Sequence, residues 1–104
     1  MSIFQAFFAG MFLANGIPHF VKGIMGQTHM TPFKRVSDAY TNVIWGFSNF
    51  VLGIAILGFD SVSGTVNMLV GMNLWVFLLG AFVMAMMDAW LFSKPNARFP
   101  WHKD

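Results

Sequence analysis

Three long apolar stretches with almost no charge inside them constrain this sequence more than any other feature. They run from about residue 3 to 25, from 40 to 59 and from 65 to 90. Each is long enough for a helix to cross a hydrocarbon core of ~30 Å. Only 10% of the residues are charged, whereas a soluble domain has roughly 25%. The sequence therefore predicts a single domain, an all-α membrane protein with three transmembrane helices.

The first stretch reaches this length only if its helix continues through Pro18 to Met25. Pro18 has no N–H to donate to the carbonyl of Ala14, and its ring crowds that carbonyl. Membrane helices tolerate such sites where a neighbouring helix or water satisfies the freed group. We therefore expect the first helix to be kinked or to have a broken turn near Pro18.

The third stretch exceeds the length of a crossing, so its helix is expected to tilt or to leave the hydrocarbon before its end. Asp88 and Trp90 favour the second alternative, because Trp prefers the membrane interface. A fourth crossing would require a turn that divides this stretch. The polar tail, residues 93–104, is predicted to lie at the interface.

The basic residues all fall on one side of a three-crossing arrangement. Because positive loops stay in the cytoplasm, we expect the N-terminus outside and the C-terminus in the cytoplasm. The net charge of +2 is too small to indicate a nucleic-acid partner. The six residues are Lys22, Lys34, Arg35, Lys94, Arg98 and Lys103.

Small residues recur at helical spacing in each stretch, which predicts close contacts between helices. Membrane helices associate through such contacts because lipid is as apolar as a leucine side chain. Packing within one chain and contact between subunits are both compatible with this pattern. The residues are Ala6, Gly10 and Ala14 in the first stretch, Gly46 and Gly53 in the second, and Ala81, Ala85 and Ala89 in the third.

Five polar residues lie inside the apolar stretches and are the candidate site. Polar groups at membrane depth are costly and tend to face a bundle interior or a cavity. His19 is suited to proton relay, while amides such as Asn49 can equally serve to fix a helix register. Asp88 needs a partner if it lies deep, with His19 and Lys22 as the candidates, and none if it lies at the interface. The five are Asn15, His19, Asn42, Asn49 and Asp88.

Other chemistry has no support in the sequence. The absence of cysteine excludes disulfides and thiolate ligands. There is no His-x-x-x-His pair, phosphate-binding loop or Gly-x-Ser-x-Gly elbow. We therefore expect no metal, no cofactor and no enzymatic activity.

The strings Asn15-Gly16-Ile17-Pro18-His19, Thr31-Pro32-Phe33 and Asn42-Val43-Ile44-Trp45-Gly46 resemble an uncharacterised family of small bacterial integral membrane proteins. The resemblance covers roughly the N-terminal half. It implies a multi-pass protein of the bacterial cytoplasmic membrane, without an established activity.

Two functions remain open from the sequence. The first is a homo-oligomeric transporter or channel for a small solute or ion, which predicts that the polar residues converge on one wet surface. The second is an accessory or assembly subunit of a larger membrane complex, which predicts that they are consumed in helix contacts. In both, the lipid bilayer is the main environment.

Overall fold

A computed structural model describes residues 1–102 of the chain. Three α-helices account for most of them: α1 (Ile3–Ile24), α2 (Ala39–Ile56) and α3 (Met72–Phe92). No strand forms within the described part, where only two isolated bridges occur. Two helices, α2 and α3, are long and apolar enough to cross a membrane.

The first helix begins at a capping box and continues without a break. The Ser2 hydroxyl accepts from the N–H of Gln5, and the Gln5 side chain accepts from the N–H of Ser2. These bonds satisfy two backbone donors that a helix start leaves free. Pro18 lies inside the helix, so the expected broken turn is not formed; the kink stays a prediction.

The third helix begins at residue 72, seven positions later than the predicted 65. Gly64 and Gly71 have φ values of 68° and 58°, a left-handed conformation that glycine adopts freely. Between them the N–H of Asn67 donates to the carbonyl of Leu57. The apolar residues of this segment therefore belong to a mostly exposed loop, residues 57–71. The periodicity of the apolar residues alone does not distinguish this loop from a helix.

Helix α1 lies in the middle of the bundle. It contacts both α2 and α3, while those two do not approach each other closely within the described residues. On α1, His19 is buried and Asn15 is partly buried, whereas Gln5 and Lys22 near its ends are exposed. The polar side chains in the centre and second half of α1 therefore face its two neighbours.

Glycines bring α1 and α2 together along their length. A Cβ on Gly46 would lie 2.5 Å from the backbone nitrogen of Phe20, and one on Gly16 would lie 2.7 Å from the carbonyl oxygen of Gly46. Both distances are too short for a side chain, so the backbones touch. Four residues of one α2 face are buried, as their spacing predicts: Asn42, Gly46, Asn49 and Gly53.

A second glycine contact joins α1 to α3. A Cβ on Gly10 would lie 2.1 Å from the carbonyl oxygen of Phe77, and one on Gly80 equally close to the carbonyl oxygen of Phe7. Each helix therefore presents a bare backbone to the other. Gly80 is the only buried residue of α3.

The predicted alanine stripe of α3 is not the contact surface. Ala81 is partly buried beside Gly10, but Ala85 and Ala89 are exposed, because α3 turns its Gly80 face toward α1. Ala85 therefore does not pack against another helix of the same chain, and its contact with a second subunit stays a prediction. On α1, Ala6 is fully buried and Ala14 partly so.

One end of the bundle is closed by two segments that we call the cap: residues 25–38 between α1 and α2, and residues 93–102 after α3. Both follow or precede helix ends that carry basic residues. The opposite end has only the N-terminus and the exposed loop 57–71. The molecule therefore has a closed basic end and an open end.

Candidate functional site

A small cavity lies under the cap, between all three helices. Its volume is about 50 Å³, which is room for one or two water molecules. Both helix side chains and cap side chains contribute to its walls. The lining residues are Asn15, His19, Met30, Pro32, Trp45, Asp88, Leu91, Phe92 and Phe99.

Three side chains from three helices form a row at one wall of this cavity. The amide of Asn15 on α1 lies 3.2 Å from Oδ1 of Asn49 on α2. On its other side it lies 3.1 Å from both carboxyl oxygens of Asp88 on α3. Asn49 is fully buried, and its Nδ2 donates to the carbonyl oxygen of Trp45 at 2.8 Å. The row therefore connects α2, α1 and α3 through polar groups only.

His19 is buried next to this row and is oriented by Asn42. The Nδ2 group of Asn42 faces the carbonyl oxygens of three residues at 3.0 to 3.1 Å, namely His29, Ser37 and Asp38. The Oδ1 of Asn42 must then accept from Nδ1 of His19, which lies 3.1 Å away. This fixes the proton of a neutral His19 on Nδ1 and leaves the lone pair on Nε2.

A second histidine, His29 of the cap, packs at a tilt against the rings of His19 and Phe92. The ring centroid of His29 lies 5.0 Å from that of His19 and 4.3 Å from that of Phe92. Burial, followed by the repulsion from His19 and Lys22, lowers the pKa of His29 to about 4. His29 is therefore neutral at physiological pH, and its buried Nε2 has no hydrogen-bond partner.

The cap is held in place by its own hydrogen bonds. The buried hydroxyls of Thr31 and Ser37 are 2.7 Å apart. From the C-terminal segment, Nε2 of His102 donates to the carbonyl oxygen of Thr31 at 2.8 Å. Arg35 donates from Nε to the carbonyl oxygen of Ala97, and the indole N–H of Trp101 donates to that of Pro32. The two cap segments thus form one cover over the cavity.

The carboxyl group of Asp88 has no cationic partner among residues 1–102. Lys94, the nearest lysine along the chain, places its ammonium 3.9 Å from the ring centre of Trp90. Lys22 is exposed at the end of α1. Among the described residues, the amide of Asn15 is the hydrogen-bonding group placed beside this carboxyl group.

All five predicted polar residues lie in one connected region. Asn15, Asn49 and Asp88 form the row, while His19 and Asn42 form the adjoining pair. They face the interior of one protomer rather than its outer surface. Three of them are nearly or fully buried: His19, Asn42 and Asn49.

Sequence reasoning missed the partners that come from distant segments. His29, Thr31 and His102 reach the site only because the cap folds back over the helices. The indole N–H of Trp45 is buried without a partner and borders the cavity, and no spacing rule marks it. Gly16 and Gly23, by contrast, are seven apart, like Gly46 and Gly53, so that pattern could have predicted the α1–α2 contact.

The site provides groups that can exchange protons. Within residues 1–102 no three His, Cys, Asp or Glu side chains come together as a metal site would require. A carboxyl group, an imidazole lone pair and room for water are the elements of a short proton path.

Comparison with protein-family models, with curated proteins and with solved structures finds no match to this chain.

Proposed function

We propose that this protein crosses the membrane three times and acts as a small transporter or channel for a small solute or ion. The observation that carries the proposal is the convergence of Asn15, His19, Asn49 and Asp88 around one internal cavity. A carboxyl group at that depth is costly to keep.

Three crossings are supported by the exposure of the helices as well as by their length. A soluble bundle buries one face of each helix, but α3 buries only Gly80. Large apolar side chains such as Phe82, Leu79 and Trp75 are more than half exposed, and lipid is the solvent that suits them. Helix α1 is 22 residues long, which gives ~33 Å at 1.5 Å per residue.

The orientation follows from the distribution of charge. Lys22, Lys34, Arg35, Lys94 and Arg98 all lie at the capped end, and the predicted sixth residue, Lys103, lies outside the described residues. We propose that this end faces the cytoplasm, because basic segments are retained there. The resemblance noted in the sequence makes the bacterial cytoplasmic membrane the proposed location.

The position of the polar residues changes one part of the transport hypothesis. They line a cavity of about 50 Å³ inside the protomer, so a pore formed between copies would not be lined by them. We propose that each protomer carries its own pathway. Homo-oligomers would then form through the exposed apolar helix faces.

The experiment is flux through the purified protein in lipid vesicles, measured with protons, K⁺, Na⁺ and glycerol as separate probes. We expect a discrete homo-oligomer in detergent and a pH-dependent flux that His19→Ala abolishes. Asn73→Ala is the matched control, because Asn73 hydrogen-bonds to the carbonyl oxygen of Met1 at the open end and does not line the cavity. An intact, monomeric protein with no flux for any probe would contradict the proposal.

The second candidate is an accessory subunit of a larger membrane complex. It is favoured by an open apolar groove of about 400 Å³ at the open end, which Phe4, Phe8 and Val76 line together with Ile3 and Phe7. A protein extracted from its native membrane as a stoichiometric hetero-complex, with no homo-oligomer, would favour this function instead.

A further inference from the structure

The side-chain amide of Asn15 lies between two groups that make incompatible demands on it. It has one end that donates and one end that only accepts. Oδ1 of Asn49 lies 3.2 Å away on one side and the carboxyl group of Asp88 lies 3.1 Å away on the other. If Asp88 is ionised, both neighbours are acceptors, and one end of the amide must face an acceptor with its own oxygen.

We propose that Asp88 binds a proton, and that Asn15 couples the occupancy of this proton site to the hydrogen bond between α1 and α2. This inference rests on the proposed transport function for its biological meaning and deepens it by naming the ion as a proton. The site itself is argued from geometry alone.

The orientation of the Asn49 side-chain amide is fixed by its contact with Trp45. Nδ2 of Asn49 donates to the carbonyl oxygen of Trp45 at 2.8 Å, so Oδ1 must point toward Asn15. Asn49 is fully buried, and turning it would leave the Trp45 contact with two opposed oxygens. A lost bond of this kind leaves a buried group unsatisfied at a cost of ~1–3 kcal/mol.

Only the protonated carboxyl group satisfies every member of the row. The O–H of Asp88 then donates to Oδ1 of Asn15, Nδ2 of Asn15 donates to Oδ1 of Asn49, and Nδ2 of Asn49 donates to Trp45. Each donor has an acceptor and each hydrogen bond runs in the same direction along the row, an order that strengthens its members.

When the carboxyl group of Asp88 releases its proton to cavity water, the preferred orientation of the Asn15 side-chain amide reverses. A carboxylate attracts a donor more strongly than a neutral oxygen does, so Nδ2 of Asn15 turns toward Asp88. Its Oδ1 then faces Oδ1 of Asn49, and the Asn15–Asn49 bond between α1 and α2 is lost, while the bond from His19 to Asn42 stays. Protonation of Asp88 on α3 thereby changes the hydrogen bonding between α1 and α2.

The groups around Asp88 favour its protonated, neutral form. From α1 it is faced by Asn15 and His19, and from α2 by Trp45. The cap contributes Phe99 to the same cavity, while His29 beside it is neutral. No lysine or arginine in the described part of the chain pairs with the carboxyl group, so a bound proton takes the place of a counter-ion.

The test is infrared spectroscopy of the full chain in lipid vesicles, following the carbonyl band of protonated carboxyl groups against pH. The sequence has four acidic side chains, which keeps the spectrum simple. Thr41 holds the pKa of Asp38 below its ordinary value through hydrogen bonds, as Val62 and Ser63 do for Asp60. Asp38 and Asp60 are therefore ionised well below neutral pH.

We expect a protonated band at pH 6 that Asp88→Asn removes, whereas an exposed aspartate loses it by about pH 5. Replacing choline by Na⁺ at fixed pH should leave the band unchanged. No Asp88-dependent band at pH 6, or a band that Na⁺ abolishes, would overturn the proton site.

A variant on the far side of the row tests the coupling. Asn49→Ala removes the competing acceptor, so Asn15 can serve the carboxylate without loss. We expect the band to disappear about one pH unit lower, which is the equivalent of one hydrogen bond. Asn73→Ala should not move it. An unchanged midpoint in folded Asn49→Ala would overturn the coupling.

A second measurement remains informative if Asn49→Ala fails to fold. The side-chain amide signal of Asn15 in the unmodified protein should shift in nuclear magnetic resonance with the same midpoint as the infrared band. An amide signal independent of pH would overturn the coupling. Vesicles without flux but with the band would refute only the transport proposal, while flux without the band would refute only the proton site.

Discussion

The two ends of this bundle are held together by different forces. At the open end, α1 and α3 meet where Gly10 faces Phe77 and Gly80 faces Phe7, with bare backbone on both sides. At the capped end, buried amides, imidazoles and hydroxyls bond to one another and to the cap. A steric contact does not tolerate added volume, while a hydrogen-bonded contact does not tolerate the loss of a donor or acceptor. The open end should thus be insensitive to pH and the capped end sensitive to it.

The largest effect should come from added volume at the open end. Gly80→Val places side-chain atoms where the Phe7 carbonyl already lies, and a backbone cannot give way as a flexible side chain can. We expect a loss of about 3 kcal/mol, at the upper end for overpacking, in unfolding monitored by circular dichroism in detergent.

Ala85→Val is the matched control for this change, because Ala85 is exposed on the same helix. It should shift the free energy of unfolding by less than about 0.5 kcal/mol. Equal destabilisation by both variants would show that the Gly80 contact is not what joins α1 and α3.

A smaller effect should follow the loss of Asn42 at the capped end. Asn42→Ala leaves Nδ1 of His19 without its acceptor. It also removes one of the two hydrogen bonds on each of the carbonyl oxygens of His29 and Ser37, which keep their backbone donors. We expect a cost of about 2 kcal/mol, seen as faster hydrogen exchange of the amides in residues 29–37. Exchange at the Gly80 contact should stay unchanged; equal acceleration at both ends would erase the difference between them.

The third effect is a pH dependence of cap stability. The pKa of His29 is lowered to about 4 when the cap is closed and returns to ~6.5 when His29 is released into water. The released form therefore binds a proton first, so the closed cap loses stability as pH falls from about 6.5 to about 4 and not beyond. Lys22 and His19 face His29 and add to the repulsion.

Hydrogen exchange of residues 29–37, corrected for its intrinsic pH dependence, measures this loss. His29→Phe keeps a ring against Phe92 and removes the titrating group, so its cap should not open between these pH values. A cap that opens equally in the variant would assign the effect to another residue.

The smallest effect should come from the capping box at the open end. Gln5→Ala removes the bond from the Gln5 side chain to the N–H of Ser2 and another to the carbonyl oxygen of Ile56. Because these groups are exposed, we expect only about 0.5 to 1 kcal/mol, measured by the same unfolding assay. A loss as large as that of Gly80→Val would contradict the view that sterics dominate this end.

The sequence predicts the helices better than their boundaries and contacts. The first two helices lie within three residues of the predicted ranges, because polar segments with capping residues such as Asp38 bound them. The third begins late because Gly71 ends a loop that is as apolar as the helix. Hydropathy measures the preference of side chains for lipid, and the side chains of an apolar loop have the same preference as those of an apolar helix.

The site shows the same division between local and distant information. Helical spacing brings Asn42 and Asn49 onto one face. The carboxyl group of Asp88 lies beside the amide of Asn15, whereas the sequence suggests His19 or Lys22 as its partner. The contact of His102 with Thr31 joins positions 71 residues apart, and no local pattern encodes it. The sequence also does not indicate which face of α3 contacts α1, because the alanine stripe and Gly80 both consist of small residues.

The most direct test of three membrane crossings uses the absence of cysteine from the sequence. Single cysteines at Ser2 and at Asn96, each in an otherwise unchanged chain, are labelled with a membrane-impermeant maleimide in intact cells or oriented vesicles. Three crossings predict that Ser2→Cys is labelled from outside and Asn96→Cys only after the cytoplasmic face is opened. Labelling of both positions from the same side would contradict the three-crossing arrangement on which the proposed function depends.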